Sequence, residues 1–195
     1  RVNEETIATY VRNLTTEKPD ILYAFPSSAE VLARSILKHG LDSYQFKMVV
    51  LSSETLSEPA RNLISEVFQC PVYDWYGLAE RATVAAQCKF GRYHFLANYA
   101  HTNIVDTEIH GTPLRWRAMS LLNYATGDGV EDYSTEQCDC SWPDSHAGRI
   151  LGRLGDYVFA GDGTPVGHLS HVFYGEHGIT GSQIIQNRDG SLTVN

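Results

Sequence analysis

Four cysteines among 195 residues are too few for a chain held together by a disulfide framework. A domain of this length buries enough apolar surface to fold without such staples. Sparse thiols fit a reducing compartment, so a cytoplasmic location is expected. Basic residues are also scarce, with 15 Lys and Arg against 23 Asp and Glu and a net charge of −8. No basic stripe runs through any segment, which excludes a general nucleic-acid surface, because phosphate binding needs one. No apolar run approaches the ~18 residues of a membrane span, and no signal peptide is visible. Internal repeats and low-complexity tracts are absent. What remains is 43% hydrophobic and 19% charged, a globular composition too apolar for disorder. The first residue is Arg1, not Met, and an amphipathic pattern starts almost at once, as expected of a piece of something longer.

That pattern predicts an opening helix with Asn3 as cap, Glu4 and Glu5 in its first turn, and Ile7, Tyr10, Val11 and Leu14 along one stripe. "ILYAF" reads as a buried strand ended by Pro26. A second helix follows, with Ser27 and Glu30 as a capping box, Leu32, Ile36 and Leu37 inward, and Gly40 at its end. "FKMVVLSS" is the next strand. Ser57 caps a third helix, with Pro59 in its first turn and Leu63, Ile64, Val67 and Phe68 on one face. "PVYDWYG" is the third strand. Alternating strands and helices of this kind indicate βαβ units and a mostly parallel sheet.

The rhythm changes after Glu80. "ATVAAQC", "YHFLANY", "TNIVDTEI" and "PLRWRAMSLLNY" carry no helix between them and read as short strands. The expected class is therefore α/β: a parallel βαβ layer, then a distorted antiparallel sheet or barrel, then the start of a small C-terminal α+β domain. Short strands with turns at "GDGT" and "RDGS", and one or two helical turns in "HLSHVFYG", make up that last part. The boundary is set between 1–153 and 154–195.

Ligands of open α/β sheets bind beyond the carboxyl ends of the strands. The second strand runs into Ser53-Glu54-Thr55 and the third into Asp74-Trp75-Tyr76-Gly77-Leu78-Ala79-Glu80. Gly77 lets the backbone turn or approach a ligand, and Glu80 is a hard oxygen ligand suited to Mg²⁺. Each also fits an ordinary turn with a solvated carboxylate. Asp128 in "YATGDG" is an acceptor for paired ribose hydroxyls, and Arg153 in "GRLGD" is a phosphate or ribose contact. Trp75 and Tyr76 flank this site, with core packing the preferred reading for Trp75.

The series "SSETLS", "DWYGLAE", "TGD" and "GRLGD" resembles the adenylate-forming superfamily of acyl-CoA ligases. "SLLNY" and "QIIQ" also look like its phenylacetate–CoA ligase-like branch, which includes relatives encoded with capsule-biosynthesis enzymes. The resemblance covers the chain from about Ile21 onward. It implies an enzyme that uses ATP to convert a small carboxylic acid into an acyl-adenylate, after which a thiol, often of coenzyme A, takes the acyl group. A homodimer is compatible with it. Glu80 would hold Mg²⁺, Asp128 the ribose hydroxyls, and Arg153 the ribose or phosphate. Ser53, Glu54, Thr55, Asp74 and Tyr76 would line the adenine pocket beside Gly77, and Asp156 would be the hinge of the small domain.

The chain departs from that pattern in four places. The glycine- and hydroxyl-rich phosphate loop and the late catalytic lysine fall outside it. Ala79 stands where many relatives carry a hydroxyl that touches the α-phosphate, and Ala125 meets Thr126 directly where relatives have several more residues. The first three departures support an alternative, a non-catalytic zinc-stabilised binding module that keeps the fold; the join at Ala125–Thr126 reads as a lost strand end or as omitted residues. A third reading, another nucleotide-binding α/β enzyme, fits the joint motif order less well.

Cys138 and Cys140 are poor disulfide partners because the intervening loop is too short for relaxed geometry. With Cys88 and His94 they make a closed four-ligand set for structural Zn²⁺. Spacing alone leaves this open against two reduced surface thiols and an unrelated core cysteine. A Cys, a His and a Cys-x-Cys recur in this order in the branch the chain resembles, which favours zinc. His101 is the alternative ligand. Cys70 has no partner in sequence and is expected in the core.

Overall fold

Helical stripes alternating with short apolar runs become, in the computed structural model, three parallel strands joined by two crossover helices. The described residues are 6–115, 118–154, 158–161, 163, 165–166 and 182–195. The expected Asn3 cap with Glu4 and Glu5, the hinge at Asp156 and the helical turns read at 168–175 lie outside them. Helix α1 (Ile7–Glu17) has Thr6 at its N-cap. Strand β1 (Ile21–Ala24), helix α2 (Pro26–His39), strand β2 (Met48–Ser52), helix α3 (Glu58–Phe68) and strand β3 (Val72–Gly77) follow. Val49 aligns with Leu22 on one side and Val72 on the other. Val49 and Leu51 bury against Leu32, Ala33, Ile36, Ile64 and Phe68 of the helices, and Cys70 joins this core as expected.

Three local expectations are corrected here. β1 is not buried: it is the sheet's edge strand, and Ile21 and Tyr23 point away from the helices at 49% and 68% exposure. Leu37 is exposed, because Leu32, Ala33 and Ile36 already fill the contact stripe of α2. The capping box does not form. Pro26 has no N–H and a preset φ, so it takes the first helical position and Phe25 becomes the cap. The orphan N–H of Ser27 goes instead to Glu54, and Glu30 pairs with Arg34 at 2.6 Å. Gly40 (φ +58°) closes α2, and Ser57 caps α3 by accepting from the Ala60 N–H, both as read.

Beyond β3 the sheet turns antiparallel through β4 (Val84–Gln87) and β5 (Tyr93–Phe95). Strands β6 (Ala100–Val105), β7 (Glu108–Pro113) and β8 (Tyr124–Glu131) begin a second sheet. β9 (His146–Ala147) returns to pair with β5, and β10 (Arg149–Arg153) pairs with β8. The first sheet thus has order β1-β2-β3-β4-β5-β9 and the second β10-β8-β7-β6. "TNIVDTEI" is not one strand. It contains the β6–β7 turn, where Asp106 and Thr107 both take positive φ, as two-residue hairpins require. Nor do the described residues of "PLRWRAMSLLNY" make one strand: Pro113 ends β7, Leu122 is 84% exposed, and pairing with β7 resumes at Tyr124 and Ala125 before its register shifts ahead of Gly129.

Ala85, Phe95, Ile109, Val130 and Ala147 form a second core between the two sheets. Gly111 lets them approach, because a Cβ there would sit 2.7 Å from the carbonyl carbon of Ala82. β11 (Val158–Phe159) with β12 (Pro165–Val166), and β13 (Ile184–Gln186) with β14 (Leu192–Val194), form two small hairpins, the latter turning at Gly190. The Gln186 amide joins them by bonding both backbone groups of Phe159 at 2.7 and 2.8 Å. The chain is thus α/β, with a parallel-containing sheet, an antiparallel sheet and small C-terminal sheets. No helix among the described residues is long and apolar enough to cross a membrane.

Candidate functional site

Because β2 and β3 are parallel, their carboxyl ends open side by side, and β8 and β10 close the opposite wall. The result is a cleft of about 1660 Å³. Ser53, Glu54, Thr55, Asp74, Tyr76, Gly77, Glu80, Asp128 and Arg153 all line it. The motifs read as nucleotide-binding, spread over a hundred positions of sequence, are therefore brought to one place.

Asp128 is the best-held group there. It is 7% exposed on β8, and its Oδ2 accepts a 2.8 Å hydrogen bond from the Tyr76 hydroxyl. Arg153 Nε lies 3.5 Å from the other oxygen, and Arg153 Nη1 donates to the Thr126 carbonyl at 2.6 Å. The Asp128 N–H donates to Thr126 Oγ1, whose own proton goes to Ile109 O on β7. Gly127 takes φ +76°, and its N–H donates to Glu108 at 2.7 Å; a Cβ there would lie 2.9 Å from Arg153 Nη1. Burial and the Asp128 charge push the Tyr76 phenol far above its ordinary range, so it stays a protonated donor.

Asp74 is the second buried carboxylate. Tyr93 donates to its Oδ2 at 2.6 Å, the Trp75 N–H donates to its Oδ1 at 3.0 Å, and its own N–H donates to Gln87 Oε1 at 3.2 Å. Burial raises its pKa, opposed by the Tyr93 bond and the Arg61 charge. Glu54 turns its carboxylate to Ser27, binding both its N–H and its hydroxyl. Glu80 is half-buried on the cleft wall, and Ala79 is exposed beside it. Trp75 is not core, contrary to the preferred reading: it is 38% exposed and lines the cleft, because alternation along β3 turns it away from the helices.

Cys88, His94, Cys138 and Cys140 form a separate cluster, with ligand atoms all within 4.8 Å of one another. The β4–β5 hairpin supplies the first two and the loop after β8 the others. Its three cysteines are free of disulfides. Cys140 Sγ lies 3.3 Å from His94 Nε2, and His94 Nδ1 lies 3.2 Å from the Asp144 carbonyl oxygen. A proton on Nδ1, held by that carbonyl, leaves the Nε2 lone pair facing the sulfurs, as metal-bound histidine requires. Burial lowers the pKa of the fully buried imidazole and keeps it neutral. The Cys140 N–H lowers the pKa of Cys138. Three sulfurs and one nitrogen, all but one buried, fit tetrahedral zinc with no position left for water. His101 is exposed and outside the cluster.

Sequence reasoning missed Tyr93 and Gln87. The available signal was position: each neighbours a cluster residue on a strand, so each faces the opposite side of the sheet.

No family model matches the chain. Along 97% of its length it is 26% identical to protein CapK of Staphylococcus aureus, of which it spans 44%. Its fold is similar to that of 2-hydroxyisobutyryl-CoA ligase, solved in the postadenylation state with R3-HIB-AMP: TM-score 0.73, 18% identity, all of this chain and 46% of that one. Coronafacic acid ligase from Pectobacterium brasiliense matches at TM-score 0.54 and 14% identity, over 98% of this chain and 42% of that one. The chain thus spans less than half the length of each of these proteins. The first of these structures is a CoA ligase in a postadenylation state and the second an acid ligase, and the CapK match agrees with the branch resembled in the sequence.

Proposed function

We propose that the chain is the nucleotide-holding part of an enzyme that activates a carboxylic acid with ATP. The acid's oxygen attacks the α-phosphorus, the bond to pyrophosphate breaks, and an acyl-adenylate forms. A thiol, of coenzyme A or a related acceptor, then displaces AMP. The observation that carries this reading is the Tyr76–Asp128–Arg153 constellation in the cleft. Tyr76 occupies one Asp128 oxygen and fixes the carboxylate plane. The other oxygen, beside the Arg153 guanidinium, is the acceptor for the ribose hydroxyls.

The remaining residues take roles around that point. Asp74 and Ser53 form the wall against the adenine, and Gly77 admits the ligand close to backbone. Glu80 would hold Mg²⁺, which when bound neutralises phosphate charge. Cys88, His94, Cys138 and Cys140 would hold a structural zinc, which ties the β4–β5 hairpin to the loop after β8. Residues from 154 onward would begin the smaller unit, with Asp156 as its hinge.

The test is nucleotide binding and pyrophosphate exchange by the natural polypeptide against a panel of aryl, aliphatic and amino acids. Asp128→Ala should weaken ATP binding at least tenfold, the scale of one or two hydrogen bonds to a charged group at about 1.5–3 kcal/mol each. Unchanged affinity would sink the assignment. The exposed Ala79 on the cleft wall supports a second reading, a module that binds nucleotide without turnover. ATP binding with no exchange for any acid would select it.

A further inference from the structure

The cysteine–histidine cluster and the cleft share one short hairpin. Gln87 and Tyr93 are cross-strand partners on β4 and β5. Each immediately precedes a cluster residue, Cys88 and His94 respectively. Side chains alternate along strands, so the hairpin presents His94 to the cluster and Tyr93 to the cleft. Both partners grip the same residue. Tyr93 holds the Asp74 carboxylate at 2.6 Å, and the Gln87 side-chain carbonyl accepts the Asp74 N–H at 3.2 Å.

That second bond stands in for the backbone ladder. β3 and β4 pair from Gly77–Val84 to Trp75–Ala86 and no further. At the next step the Gln87 side chain takes over the pairing, while its Nε2 donates to Gly91 O across the hairpin turn at 2.9 Å. The same turn is closed by Cys88 N–H to Arg92 O and Gly91 N–H to Cys88 O. Moving Cys88 or His94 therefore moves two of the three side-chain-mediated hydrogen bonds of Asp74, leaving only that from the Trp75 N–H. The Tyr93–Asp74 contact is buried, so water cannot replace it when it loosens.

We propose that Tyr93 and Gln87 are positioning residues through which metal occupancy of the Cys88–His94–Cys138–Cys140 cluster sets Asp74 and with it the nucleotide affinity of the cleft. This rests on the zinc and nucleotide readings above. It adds a coupling between two sites that neither reading contains. Coupling of this kind is reciprocal: if zinc raises affinity for the nucleotide by some factor, the nucleotide raises affinity for zinc by the same factor.

The experiment uses the natural polypeptide, zinc and AMP. AMP affinity is measured with zinc present and after chelation, and the rate of zinc loss to chelator is measured with and without AMP. In the wild type, zinc should strengthen AMP binding about tenfold, within the usual range of site-to-site coupling, and AMP should slow zinc loss. Tyr93→Phe removes one hydroxyl and keeps the ring. It should retain one zinc but bring both factors close to one. Cobalt exchanged for zinc gives a readout that needs no metal-free protein: AMP should shift the cobalt absorption band in the wild type and not in Tyr93→Phe.

If the wild type binds zinc and AMP independently, with no band shift, the coupling is wrong while both site readings stand. If Tyr93→Phe shows the full wild-type coupling, the proposed route is wrong. If zinc or AMP fails to bind the wild type at all, the proposal falls together with the reading of that site, and the first titration identifies which.

Discussion

Ser27 and Glu54, 27 positions apart, meet at the start of α2, where the carboxylate accepts the Ser27 N–H at 2.9 Å and its hydroxyl at 3.0 Å. The loop after β2 is thereby fastened to the helix before it. An acid at a helix N-terminus satisfies an orphan donor and faces the positive end of the dipole. Glu54→Ala should lower stability by about 1 kcal/mol, as loss of a cap does. A lower denaturant midpoint with unchanged slope checks this. An unchanged midpoint would mean the bond adds nothing.

Asp74 predicts a pH dependence of definite sign. Burial raises its pKa in the folded state above the ordinary 3.8. The folded protein therefore binds more protons than the unfolded chain between that value and the raised one. The stability contribution is full below 3.8 and is lost as pH rises through the folded value. Asp74→Asn does not titrate, so it should gain on the wild type in melting temperature as pH rises through that window. If instead the wild type gains on the variant, the Tyr93 and Trp75 bonds outweigh burial and the direction is wrong.

The parallel layer was legible because its signals are local: the stripe of α3, the Ser57 cap and the αL glycine at Gly40 each lie within one element. The cluster was legible because cysteine is scarce and Cys-x-Cys is distinctive. Asp128 and Arg153 were legible as motif positions, but their meeting with Tyr76 was not. Partners decided at long range left no local trace. Ser27 looks like a cap from sequence because its true partner is Glu54. The β6–β7 turn has no glycine, so Asp106–Thr107 passed for mid-strand. Leu122 is apolar yet exposed, since burial depends on what packs there and not on the residue alone.

Gly111 should be intolerant of substitution. In Gly111→Ala the new Cβ overlaps the Ala82 carbonyl, which is backbone and cannot swing aside. β7 and the turn carrying Glu80 and Ala82 would have to separate. Overpacking of this kind costs about 1–3 kcal/mol. A thermal melt of the variant gives the loss. Wild-type stability would show that the turn is free to shift and is not clamped by β7.

Glu80→Gln keeps shape and removes charge. If Glu80 holds Mg²⁺, turnover should fall far more than stability, and the magnesium concentration for half-maximal rate should rise. Wild-type turnover with the usual magnesium dependence would reduce Glu80 to a turn residue.

The cluster makes the last prediction, and the burial of its members fixes what is expected. Cys88, His94 and Cys138 are under a tenth exposed, so without metal the structure would bury neighbouring thiols and an imidazole with little to compensate them. With zinc, sulfur ligands at ~2.3 Å and nitrogen at ~2.0–2.1 Å close a tetrahedron. Protein purified without chelator should therefore carry one equivalent of zinc, and its cluster thiols should resist titration until it is unfolded. The ligands come from two separate stretches of chain, so binding metal and fastening the loop after β8 to the β4–β5 hairpin are one event. Cys138→Ser should lose zinc, become protease-sensitive in that loop, and melt lower. Cys70→Ser should keep zinc, because Cys70 lies in the helical core and outside the cluster. Elemental analysis of both variants is the check. Zinc well below half an equivalent in the wild type, with the three cluster thiols reacting in the native state, would reject the site.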